Sequence, residues 1–96
     1  MSDRELYQQK LQAQLDEWKA ELDKLKAKVA GASADAQLKM NQQVASLEGK
    51  IEEGKTKLSE LAEASSDAWA SVKNGVESAW ESMRSAFSDA ASKFKG

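Results

Sequence analysis

"EASSDAW", residues 63 to 69, decides the fold of this 96-residue chain. Just upstream, Leu58 and Leu61 continue an apolar stripe that steps by alternating fours and threes; the next positions, Ser65 and Trp69, follow in two consecutive steps of four. The stripe slips here. On one reading the slip is a stutter inside a single long helix, and the molecule is a coiled-coil hairpin whose C-terminal part must dock or dimerise. On the other, Ser65 or Ser66 caps a new helix with Asp67 in its first turn, and the chain reverses into an antiparallel bundle. Neither glycine nor proline stands in the stretch to force a turn, so both architectures stay open.

The flanking segments are helical on either reading. The chain has no proline and 16 alanines, which with Lys, Glu, Leu and Gln make a helix-forming composition, and strands are a poor prospect throughout. In the first segment Leu11, Leu15, Trp18, Leu22, Leu25 and Val29 form an a/d stripe. The spacing predicts a helix from about 3 to 30, with Ser2 or Asp3 as N-cap, Asp3 and Glu5 at the positive end of its dipole, and Gly31 as its stop. "AGASAD", residues 30 to 35, reads as a turn. Ser33 then caps a second helix, about 34 to 64, whose stripe is Met40, Val44, Leu47, Ile51, Leu58 and Leu61. Gly49 and Gly54 lie inside it at a cost of about 1 kcal/mol each, too little to break it. Gly54 falls in the stripe itself. Either a bulky partner side chain fills the gap there or the helix kinks.

The third segment, about 67 to 95, carries three rows: Trp69, Val76, Met83 and Ala90; Val72, Ala79 and Ala86; and Trp80, Phe87 and Phe94. Together they make a face wider than a coiled-coil seam, with aromatics on one flank. Ser71, Ser78, Ser85 and Ser92 recur on the opposite side. Trp69, Val72, Val76, Trp80, Met83, Phe87 and Phe94 are therefore the candidate interaction face. Core packing explains such a face most simply. A helix with bulky aromatics opposite serines also suits insertion into loosely packed lipid, with Lys93 and Lys95 near the headgroups.

Composition excludes much else. Only 23 residues are large and apolar, so the core of a single helical domain over 1–96 must be a thin seam, which invites oligomerisation. With no cysteine and no histidine, disulfides, thiolate nucleophiles and the commonest general base and zinc ligand are gone, and no catalytic, cofactor or metal residue is assigned. The net charge of −2 comes from interleaved signs, so no basic stripe tracks a nucleic-acid backbone. Glu48, Glu52 and Glu53, and Asp16 with Glu17, gather carboxylates, but Glu53 with Lys57, Asp35 with Lys39 and Asp89 with Lys93 make a solvated ion-paired face the simpler account. The Gly-Lys pairs in "LEGK" and "EEGK" lack the P-loop spacing. No small-molecule substrate is implied. A polar N-terminus without an apolar signal core, and the absence of any run near the ~20 residues that span a bilayer, point to a cytoplasmic location.

"KLQAQLDEWKAELDKLKAK", residues 10 to 28, and "SSDAWASVKNGVESAWESMRSAFSDAASKF", residues 65 to 94, resemble a family of short bacterial coiled-coil stress-response proteins of unknown mechanism. The tryptophan of "LDEW" and the pair Trp69 and Trp80, eleven residues apart, carry the likeness; residues 31 to 57 add little. The resemblance implies a cytoplasmic, non-enzymatic helical protein linked to stress, and it brings no catalytic residue. A compositional likeness to apolipoprotein and late-embryogenesis-abundant helices implies a way to act, by covering apolar surfaces. The expectation is an all-α structural or interaction protein that associates with itself or another helical protein, the alternative being a binder of membrane surfaces through its C-terminal helix.

Overall fold

The structure, a computed structural model, describes residues 2–93. Three helices follow in order: α1 Asp3–Ala30, α2 Ala34–Glu63 and α3 Trp69–Lys93. Among the described residues there is no strand. Phe94 and Lys95 lie outside the described residues.

The reversal at "EASSDAW" is real. Ala64 leaves the helix with φ −65° and ψ 139°, and its N–H donates to Leu61 O at 3.3 Å. Ser65 then receives the chain: its hydroxyl and its carbonyl both accept from Ala68 N–H, at 3.2 and 3.1 Å, and the carbonyl also accepts from Trp69 N–H at 2.9 Å. Ser65, not Ser66, is the cap. A serine can do this without glycine because an extended Ala64 needs no positive φ. Residues 66–68 form a turn, so regular α3 begins two residues later than the spacing predicts.

The other ends follow their sequence signals with one change. Ser2 Oγ accepts from Glu5 N–H at 3.2 Å, and Ser33 Oγ from Ala36 N–H at 3.4 Å, as N-caps should. Gly31 ends α1 with φ −93°, a conformation open to any residue. Its left-handed freedom is therefore unused. The helix closes instead through tightened bonds, Gly31 N–H to Lys28 O at 3.2 Å and Ala32 N–H to Val29 O at 3.1 Å.

The helices run up, down and up in a bundle measuring 51 × 21 × 18 Å. One apolar core contains Leu11, Leu15, Leu22, Leu25 and Val29 from α1, Val44, Leu47, Ile51 and Leu61 from α2, and Val76, Trp80, Met83, Phe87 and Ala90 from α3. None of the buried described residues is polar or charged. Trp18, Met40 and Leu58, also expected in the seam, are half-buried against it. α2 runs unbroken past Gly49 and Gly54.

Gly54 explains how tightly the helices close around α2. A Cβ there would stand 2.6 Å from Met83 Cε, 3.2 Å from Leu15 Cδ1 and 3.6 Å from Trp80 Cη2. Side chains from both neighbouring helices thus fill the gap that the glycine leaves in the stripe. The surface is ordinary by contrast. Short-range pairs such as Lys19–Asp16, Lys55–Glu52, Lys57–Glu60 and Arg84–Glu81 cover it, while the expected pairs Glu53–Lys57, Asp35–Lys39 and Asp89–Lys93 do not form. Lys57 reaches Glu60 instead, and such exposed pairs add little stability.

Candidate functional site

α2 packs closely on both α1 and α3, whereas α1 and α3 approach each other little along their backbones. Large side chains bridge the difference. α2 has no aromatic residue, and all five aromatic side chains among the described residues make ring contacts between α1 and α3. Tyr7 meets Trp69 edge to face at 5.8 Å between centroids, Trp18 lies 6.1 Å from Trp80, and Trp18 stacks on Phe87 at 6.1 Å. Tyr7 to Trp18 and Trp69 to Trp80 are the same eleven-residue step. On parallel helices, equal steps set the two pairs at matching heights.

The candidate face of α3 divides along this seam. Val76, Trp80, Met83 and Phe87 are buried, with Trp80 only 3% exposed. Trp69 and Val72 are half-buried at the end near the reversal, and Phe94 lies outside the described residues. Ser71, Ser78, Ser85 and Ser92 face solvent. In the closed chain, then, most of the face is inside. Two buried polar side-chain atoms lack a hydrogen-bond partner among the described residues: Trp69 Nε1 and Trp80 Nε1. Leaving such a donor unpaired costs about 1–3 kcal/mol. Both belong to rings of the seam.

A polar cluster closes the end of the seam. The Arg4 guanidinium donates to Leu61 O at 3.1 Å, to Ala62 O at 3.4 Å and to Ala64 O, so a side chain of α1 binds the carbonyls at and just past the C-terminus of α2. Its carbon also sits 5.7 Å from the centre of the Trp69 ring. Lys73 Nζ lies 4.8 Å from the Tyr7 ring centre and 5.4 Å from that of Trp69, and Tyr7 donates to Glu77 Oε1 at 3.1 Å. Burial, and then the hydrogen bond to Glu77 and its negative charge, push the Tyr7 phenol up to about 12. Arg4 and Tyr7 are functional candidates that the sequence reading missed. Tyr7 stands four residues before Leu11 and so extends the first stripe, and its step to Trp18 repeats that from Trp69 to Trp80.

Elsewhere on the described residues run open grooves. One, about 550 Å³, runs between α1 and α2 over Leu15 and Leu58 with walls of Gln8, Gln9, Gln12 and Lys55. A smaller one, about 290 Å³, follows the α1–α3 seam past Lys10, Gln14, Glu81 and Arg84. The clustered carboxylates are taken up singly: Glu48 by Lys26 at 2.8 Å, Glu52 by Lys55 at 3.2 Å and Asp16 by Gln12 at 3.0 Å. The Glu48 hydrogen bond and charge raise the Lys26 pKa. Among the described residues no three ligating side chains gather as a metal site would require, and no helix is long and apolar enough to cross a membrane. No family model, curated protein or solved structure matches this chain.

Proposed function

We propose that this protein works without a reacting centre, as a cytoplasmic helical interaction protein in a stress response, and that it acts by helix–helix association with a second copy or another helical protein. The observation that supports this reading is the aromatic seam. α1 and α3 meet through rings rather than through close backbones, so a helix of another chain that took the place of either would meet the same aromatic face. Sedimentation equilibrium of the purified chain over a wide concentration range tests it. A mass rising reversibly above 10.5 kDa, and a weaker rise in Trp18→Ala, are the expected results. A chain that keeps the single-chain mass at millimolar concentration removes self-association from the reading.

A second reading, binding to a lipid surface, is favoured by the two buried indole N–H groups without partners. Indoles suit the boundary where an apolar body meets polar headgroups. Under this reading the protein co-floats with small, highly curved vesicles and its tryptophan emission changes as it binds. Failure to co-float would remove the lipid reading.

A further inference from the structure

We infer that the bundle is built to open along the α1–α3 seam, with α2 as the spine and Arg4 as the latch. The three interfaces differ in kind. Both sides of α2 close tightly, by backbone approach and around Gly54, and each carries an exposed bridge at 2.8 Å, Lys26 to Glu48 and Lys50 to Ser82, that adds little. On the third side the backbones lie farther apart, ring contacts run along the length, and at one end Tyr7 donates to Glu77 while Arg4, bonded to the end of α2, lies beside the Trp69 ring. Opening that side leaves the aliphatic contacts of α2 in place. It also frees the indole N–H groups of Trp69 and Trp80, which are buried without partners only while the seam is shut.

Arg4 controls the step because it ties three parts together. It belongs to α1, holds the carbonyl end of α2, and lies beside Trp69 at the start of α3. Releasing it gives up the bonds of α1 to the last carbonyls of α2 and its place beside Trp69, and so lets the near end of α1 leave α3. The opened molecule then displays Trp18, Trp80 and Phe87 on two helices that still share one spine. No partner is needed for the opening, so the inference stands apart from either reading of function.

The chain has no cysteine, so three double-cysteine variants carrying spin labels test this directly. Lys10→Cys with Arg84→Cys reports on the seam, Lys26→Cys with Glu48→Cys on α1–α2, and Lys50→Cys with Ser82→Cys on α2–α3. Labelling the last two pairs removes a bridge from each, which works against the expected order. As urea is raised, the seam distance should lengthen while both spine distances keep their native values. Arg4→Ala should lower the urea concentration at which the seam lengthens by roughly 0.5–1 M and leave the spine pairs where they were. Circular dichroism of each variant confirms that it folds. If all three distances lengthen together, or a spine pair lengthens first, the opening proposal fails; if Arg4→Ala shifts all three alike, the latch fails.

Discussion

Gly54 and Tyr7 are the residues on which local physics makes its clearest claims. An alanine at an exposed helical glycine gains about 1 kcal/mol from helix propensity alone. Gly49 and Gly75 have nothing within 4 Å of an added Cβ, so Gly49→Ala and Gly75→Ala should each raise stability by about that much in thermal unfolding. Gly54→Ala has the same gain but must displace the Met83 methyl and crowd Leu15 in a filled core, an overpacking cost of about 1–3 kcal/mol. It should come out destabilising by about 1 kcal/mol, and a stabilised Gly54→Ala would mean that the helices do not close there. Tyr7 is the chain's single tyrosine, so tyrosinate absorbance reads it alone. Its folded pKa of about 12 lies above the ordinary 10.0, so its contribution to stability is fully present below pH 10 and is lost as the pH rises through 12. Glu77→Gln removes both the charge and the carboxylate acceptor, and should bring the midpoint down toward the ordinary value. A native midpoint already at 10 would mean that Tyr7 neither packs at the seam nor bonds Glu77.

At the scale of the element, the reversal rests on one hydroxyl and one carbonyl of Ser65. Ser65→Ala should cost about 1 kcal/mol, the usual worth of an N-cap, and Ser66→Ala much less. Because the turn contains no glycine, the capless variant has a competing state in which α2 and α3 run on as one helix and two chains exchange their third helices. Light scattering at high concentration should therefore find more dimer in Ser65→Ala than in the parent. No increase would show that the turn holds without its cap. This is also where sequence reading reached its limit. The three stripes, the two earlier caps and the unbroken α2 were legible because each depends on contacts within a few residues. The choice at residues 64–68 was not, since a serine pair serves equally in a cap and on a solvated helix face. Gly31 invited a left-handed stop that the helix does not use, because bonds from residues 31 and 32 back to 28 and 29 close it first.

For the whole molecule, the decisive placement is that of the α3 aromatic face, inside the chain's own bundle. Trp80→Ala should then cost about 3–5 kcal/mol in the protein alone, with no lipid or partner present. Part of this layout is readable: Trp69, Val72, Val76, Trp80, Met83, Phe87 and Phe94 share one face in the sequence, and Val76, Trp80, Met83 and Phe87 are buried by it. The partner across the seam is not, because which helices lie side by side depends on the reversal, and Arg4 and Tyr7 acquire their roles only once α1 and α3 are parallel. One distance tests this arrangement most directly, that between spin labels on exposed Lys28→Cys and Ser92→Cys, measured with the labelled chain diluted in unlabelled protein. The closed bundle puts both labels at the same end and predicts a single distance no greater than its 21 Å breadth plus the reach of the labels. A continuous α2–α3 helix would carry Ser92 away from Lys28 by the lengths of α1 and α3 together, roughly 80 Å at about 1.5 Å per residue, and that distance would contradict the fold and the aromatic seam at once.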